Sequence, residues 1–408
     1  MRRAAGALTQ IARLFGVLVT VVAVVGCGAT HDQRPGRSEH RGATAADVVG
    51  ARTAPGSPQT LRAAAVTARG LSVDQLAGQR VIYAYAGLRP PPSLLTAVRR
   101  GQAGGVIFFS WNIASVAQIR GVIEQLQRAS LASPLHDRLL MMTDQEGGEV
   151  RRLPGAPTRS EKQIGESRDG VALARAAGRG AAGELRSVGM NVNLAPVLDV
   201  YRHAGNFIDE FQRSYSGNPA TVGRLGSAFI AAQQGSGVAA TAKHFPGLGA
   251  AARSQDTDLR PVTLDVPLTQ LRDVDEAPYR PAIAAGVKLV MVSWARYPAL
   301  DRTYPAGLSS AVIQGELRGR LGFQGVTITD AIGAGALVPF GKPSQIGVMA
   351  AHAGADLILC AGTGPSGSSP LQGLSVLHAL AAAIGDGGLT RSSAVASAAR
   401  ILALKAHP

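Results

Sequence analysis

From about residue 71 onward the chain alternates between two hydrophobic patterns. Short apolar, β-prone runs recur at Val81–Ala86, Gly105–Ser110, Leu139–Asp144, Met190–Asp199, Ala239–His244, Leu289–Trp294, Gly325–Asp330 and Ala355–Ala361. Between most of them lie stretches with helical spacing, such as Val116, Ile119, Ile123 and Leu126 on one face. Strand-length runs separated by helix-length ones predict parallel strands joined by helical crossovers. Eight such units in about 330 residues count out an α/β fold, a (β/α)8 TIM-type barrel forming a single domain over 71–408, with Leu389–Leu404 closing the ring as a helix.

The N-terminal pattern differs. Arg2, Arg3 and Arg13 precede the apolar run Leu14–Val25, too short for a comfortable membrane span and shaped like the apolar segment of a signal peptide. It ends in Val24-Val25-Gly26-Cys27, which resembles a bacterial lipobox: small residues admit the peptidase and the Cys27 sulfur receives the lipid. Residues 1–26 are thus expected to be removed, leaving Cys27 lipidated and the protein anchored to the outer side of the cytoplasmic membrane. From Gly28 to about Arg69 the sequence is polar, rich in Ala, Arg, Gly, Ser and Thr, and punctuated by Pro35, Pro55 and Pro58, so a flexible tether over 27–70 is expected.

Composition narrows the function classes. Nearly half the residues, 46%, are hydrophobic and only 17% charged, as a large buried core requires. The net charge of +14 invites a nucleic-acid partner, but the arginines are scattered, there are five lysines, and base-stacking aromatics are few. No nucleic-acid binding is expected. The one cysteine besides Cys27 is Cys360, inside the apolar run Leu357–Ala361, which reads as a small core residue without a disulfide or metal partner. Neither a His/Cys cluster at ligand spacing nor a Gly-rich phosphate loop after a strand is present, so no metal or cofactor is expected, and the protein should be a monomer.

In such a barrel the chemistry gathers where strands end. The polar residues there are Asn112, Asp144, Asp199, Lys243, His244, Trp294 and Asp330. Five segments in order, Asp144-Gln145-Glu146-Gly147-Gly148 with Arg152, Asn193 to Asp199, Arg213-Ser214-Tyr215, Lys243 to Gly249, and Gly325 to Asp330, resemble the motifs of glycoside hydrolase family 3. In particular they are similar to its bacterial single-domain β-N-acetylglucosaminidases, and the resemblance runs from Leu71 to the C-terminus. It implies a retaining, exo-acting β-glycosidase with Asp330 as nucleophile. Asp144, Arg152, Arg213, Lys243 and His244 fall on the sugar-binding positions. A carboxylate suits the nucleophile because it can trap an oxocarbenium-like centre covalently, and a nearby cation such as Lys243 would keep it ionised. Asp199 and Asn112 read as supporting residues.

The chain departs from that pattern in one loop. Relatives carry a second His after the Lys-His-Phe-Pro-Gly segment, where Leu248 stands, and a catalytic His shortly after; this loop reads Gly249 to Asp258 and holds no histidine. Counting forward from Lys243 puts Asp256 on the acid/base position, and counting back from Pro261 puts Thr257 there. Asp256 is the first candidate and Asp258 the second, since a carboxylic acid with a raised pKa can protonate a leaving group. An ionised Asp would also repel phosphate, so hydrolysis is expected over phosphorolysis. Trp294 and Glu149 replace residues usual in relatives, and the Trp294 indole is a candidate either for stacking on a sugar or for capping the core. The expected substrate is a β-linked sugar or a cell-wall-derived muropeptide, with β-N-acetylglucosaminidase activity the leading reading. A β-glucosidase of the same family is one alternative; a non-catalytic sugar-binding lipoprotein on a degenerate barrel is the other.

Overall fold

The computed structural model describes residues 58–408. The expected signal peptide, Cys27 and the tether as far as residue 57 lie outside the described residues. Eight parallel strands follow at the expected places: β1 Val81–Tyr83, β2 Gly105–Ile107, β3 Leu140–Thr143, β4 Val192–Asn193, β5 Ala239–Phe245, β6 Leu289–Val292, β7 Val326–Thr329 and β8 Ile358–Cys360. Each pairs with its sequence neighbour from β1 to β7, and β8 pairs back onto β1 with Val81 opposite Ile358. A parallel bridge between Ile328 and Leu357 joins β7 to β8 and completes the ring.

The period of two along the strands builds two cores. Ile82, Ile107, Leu140, Met142, Leu289, Met291, Ile328 and Leu359 fill the barrel lumen, while Val81, Tyr83, Val106, Met141, Val290, Val292, Ile358 and Cys360 pack outward under the helices. Because both faces are covered, the strands read as continuous apolar runs. Cys360 is a free thiol in the outer core, and burial pushes its pKa up.

One expectation needs correction. The stretch Pro58–Arg69, placed in the tether, is a helix that packs with Ala64 and Ala68 buried against the C-terminal helix Arg391–Ala406. Leu61, Ala64, Ala65 and Ala68 form its inner stripe, and alanine buries so little area that the stripe is faint in the sequence.

At the strand-start end, the fully buried Asp356 ties several elements together. It accepts hydrogen bonds from Arg318 Nη2 and Arg400 Nη2 (both 2.7 Å), Ser397 Oγ (2.7 Å) and the Thr327 N–H (3.0 Å). Burial works to raise its pKa, but Arg400 and Arg318 outweigh that and hold it below the usual carboxylate range. This cluster braces the base of β7 and β8, opposite the end where Asp144 and Asp330 lie.

Candidate active site

Strands β3, β5 and β7 deliver their polar residues to one cavity of about 310 Å3 at the C-terminal mouth, lined by Asp144, Arg152, Arg213, Lys243, His244, Asp258 and Asp330 among others. All five residues expected to bind sugar, and the expected nucleophile, therefore share one space.

Its floor is a buried ion network. Asp144 follows β3, and the hairpin Gln145–Gly147 paired with Val150–Arg151 comes directly after it. Gln145 fixes the hairpin by accepting from the Arg152 and Leu153 N–H groups (3.1 and 3.0 Å) and donating to the Leu153 and Ala156 carbonyls (3.1 and 2.9 Å). The turn needs glycine at 147, where φ is +120° and a Cβ would stand 2.3 Å from the Arg159 carbonyl oxygen. Lys243, only 2% exposed, reaches Asp144 at 2.8 Å and Glu146 at 2.7 Å. Arg213 meets Glu146 with two parallel bonds of 2.9 Å, and Arg152 approaches Asp144 at 3.8 Å.

The charges decide the protonation states. Burial works to raise the Asp144 carboxyl, but Lys243 and then Arg152 hold it below the usual range. For Glu146, burial is again opposed, and Arg213 and Lys243 together carry it far down. Burial favours loss of the Lys243 proton, but Asp144 and Glu146 outweigh it and raise its pKa. Two anions thus face the buried Lys243 and the half-buried Arg213, and Asp144 keeps an ionised edge toward the cavity for hydroxyl donors.

His244 is aimed by Asp199. The fully buried Asp199 lies 2.8 Å from His244 Nδ1 and accepts from the backbone N–H groups of His244 (3.2 Å) and Leu248 (2.7 Å). Arg213 Nη2 sits 3.4 Å from His244 Nε2. Farther round the rim, the Asn112 amide ties the loop after β2 to that after β1, donating to the Tyr85 and Gly87 carbonyls (3.0 and 2.8 Å).

Asp330 extends β7 by one residue, with its N–H bonded to the Val292 carbonyl (3.2 Å) and its Oδ1 accepting from the Ala331 N–H (2.7 Å). The expected cation is not beside it: Lys243 is engaged by Asp144 and Glu146, and Asp330 has no ion-pair partner within 4.0 Å among the described residues. Trp294 is 1% exposed and does not line the cavity. Its indole N–H donates to the Ala331 carbonyl (2.9 Å), so it steadies the residue after Asp330 from within the core and does not offer a sugar face. Glu149 is exposed on the hairpin.

The variant loop separates the two acid candidates. Asp256 does not line the cavity; its Oδ1 accepts from the Asp258 N–H (2.8 Å), while its carbonyl accepts from the Arg260 N–H (3.1 Å). Such a side-chain cap shapes a turn. Asp258, presented by that turn, lines the cavity together with Asp330. The residue is exposed at the mouth, yet the protein mass around its carboxyl, then the Asp330 charge and then Asp256, push its pKa to about 7.

Three contributors were not singled out from the sequence. Glu146 stood inside a quoted motif without a role, and nothing in its local pattern tells that it turns inward. Phe109 and Trp111, stacked at 4.5 Å, line the cavity beyond β2, and the run Phe108-Phe109-Ser110-Trp111 at a strand end was a signal that could have found them.

The glycosyl hydrolase family 3 N-terminal domain model matches residues 73–404. A protein of Arthroderma benhamiae called an uncharacterized secreted glycosyl hydrolase is 47% identical over 348 residues, covering 84% of this chain and 97% of that one. The β-hexosaminidase of Thioalkalivibrio sulfidiphilus is 34% identical over 286 residues, covering 68% of this chain and 78% of that one. Among solved structures, the family 3 β-N-acetylglucosaminidase of Paenibacillus sp. str. FPU-7 superposes with a TM-score of 0.77 at 36% identity. The match covers 83% of this chain but 63% of the Paenibacillus one. With motifs, barrel and mouth all in agreement, the chain belongs to glycosyl hydrolase family 3.

Proposed function

We propose that this glycoside hydrolase is a retaining, exo-acting β-N-acetylglucosaminidase in which Asp330 is the nucleophile and Asp258 the acid/base. The observation that carries the reading is a pair of carboxyls of unlike surroundings in one cavity: Asp258, with its pKa pushed to about 7, and Asp330 at the end of β7. A carboxyl that keeps its proton near neutral pH, set beside a second one placed to attack, is the division of labour that glycosidases use. Asp258 gives its proton to the glycosidic oxygen as that bond breaks, while Asp330 attacks the anomeric carbon from the opposite face and forms a glycosyl ester. The Asp258 carboxylate then takes a proton from water, whose oxygen displaces Asp330 and restores it. Asp144, Arg152, Arg213, Lys243 and His244 hold the terminal sugar, their charges already paired so that little reorganisation is needed on binding.

The choice of N-acetylglucosamine is supported by the Paenibacillus relative, a β-N-acetylglucosaminidase, and by the Thioalkalivibrio one, a β-hexosaminidase. Cell-wall-derived glycans are the proposed substrates because the N-terminus carries a signal-like segment ending at Cys27, and we extend the proposal to a lipid-anchored enzyme outside the cytoplasmic membrane. A non-catalytic sugar binder gives no reason for a carboxyl of raised pKa beside the nucleophile position. Rates on aryl β-N-acetylglucosaminide and aryl β-glucoside, with Asp330→Asn as control, test the reading. Preference for the acetylated sugar and a loss of more than about 10³-fold in the control, over about 4 kcal/mol of barrier, are expected. An unimpaired control removes the nucleophile, and a preference for the glucoside removes the sugar assignment.

A further inference from the structure

The two carboxyls of the proposed mechanism stand on different loops, and those loops are joined by backbone. The Gly335 N–H donates to the Asp258 carbonyl (2.8 Å) and the Ala336 N–H to the Thr257 carbonyl (3.0 Å). The segment that leads there from Asp330 is itself held: the Ile332 N–H bonds the Leu359 carbonyl (3.0 Å) and the Gly333 N–H the Ala361 carbonyl (2.8 Å), continuing the course of β7 beside β8. Asp330 thus lies five residues from the point where the acid loop docks.

That docking has room for hydrogen only. A Cβ on Gly335 would stand 2.3 Å from the Leu259 carbonyl oxygen, 2.4 Å from its carbonyl carbon and 3.0 Å from the Arg260 nitrogen. All three are backbone atoms, so none can swing aside as the tip of a side chain would. The backbone of Gly335 is not in the left-handed region, and close approach alone is what demands glycine.

We propose that Gly335 is a positioning residue for catalysis: its bare Cα lets the loop bearing Asp258 seat on the loop bearing Asp330, and this seating sets the separation of the two carboxyls. The inference rests on Asp258 being the acid/base. Retaining chemistry works with the pair roughly 5–5.5 Å apart. Relieving a 2.3 Å contact to ordinary packing distance moves the acid loop by about 1 Å, enough to cost on the order of 10²-fold when a reacting group is misplaced.

The test compares wild type, Gly335→Ala, Gly335→Val and Asp258→Asn on two β-N-acetylglucosaminides. Phenoxide needs a proton to leave, and dinitrophenoxide does not. Both glycine variants should lose about 10–10²-fold in kcat/KM on the phenyl substrate and less than about threefold on the dinitrophenyl one. Azide should then raise their kcat on the dinitrophenyl substrate by attacking the anomeric carbon of the glycosyl-enzyme, breaking the ester to Asp330, which leaves as carboxylate, and yielding the β-glycosyl azide. Equal kcat/KM losses on both substrates would mean a loosened site in place of a misplaced acid and would overturn the inference, as would an undiminished rate on the phenyl substrate. Thermal melting checks that each variant is folded, and Gly335→Ala carries the test if the valine variant does not fold. Should Asp258→Asn discriminate between the substrates while the glycine variants do not, only the positioning role falls. Should Asp258→Asn treat both alike, the acid assignment falls and takes the inference with it.

Discussion

Replacing Asp256 by asparagine separates the roles of the two carboxyls on the acid loop, because it deletes a charge and keeps an acceptor. The asparagine Oδ1 can still accept from the Asp258 N–H, now 2.8 Å from the Asp256 carboxylate, so the turn is retained. What disappears is one of the causes that hold Asp258 at about 7, where it ranks after burial and the Asp330 charge. Between neighbouring like charges near a protein surface, Coulomb's law gives on the order of 1 kcal/mol, or roughly one pKa unit. A neighbouring negative charge disfavours ionisation, so its removal lets the Asp258 proton leave at lower pH. The alkaline limb of kcat/KM on phenyl β-N-acetylglucosaminide should therefore move from about 7 toward about 6, with the rate near pH 5 unchanged. High salt should narrow the gap, since it screens exposed charges. A limb that stays put or moves upward refutes the electrostatic coupling. A loss of about 10²–10⁴-fold at pH 5 makes Asp256 itself the acid and refutes the assignment of Asp258.

Other outcomes follow from the same structure. Millimolar phosphate should neither accelerate turnover nor yield sugar phosphate, because an ionised Asp258 in the deglycosylation step repels the anion; product analysis by mass decides. Asp356→Ala should cost about 3–5 kcal/mol of stability in denaturant unfolding, since it leaves Arg318 and Arg400 without their buried partner, and an unshifted midpoint would contradict this. Palmitate labelling should mark the intact protein in bacterial cells and be lost in Cys27→Ala; equal labelling of both would end the proposed anchor.

The barrel was legible because each strand is buried on both faces, so apolar runs such as Leu289–Val292 stand out from their surroundings. The strand ends were legible for the same reason: once a run is placed, Asp144 and Asp330 fall at its end without further information. The helix Pro58–Arg69 was not, because four small or partly covered positions carry its packing and the rest of its residues resemble a linker. The acid candidate could not be chosen by counting along the loop. What separates Asp258 from Asp256 is that Asp258 lines the cavity, on a loop whose Asp258 carbonyl accepts from the N–H of Gly335, a residue far away in sequence that carries no side chain to betray it. Glu146 was hidden in a similar way, its inward turn set by a hairpin whose geometry depends on Gly147 and Gln145.

The Asp356 cluster has a bearing on how such a protein can change over generations. Thr327, one of its members, and Asp330 are three residues apart on extended β7, roughly 10 Å. At that range the effects of substitutions add with little interaction. Substitutions in the loop after β5 should therefore leave intact the stability that the Asp356 cluster supplies at the other end of the strands.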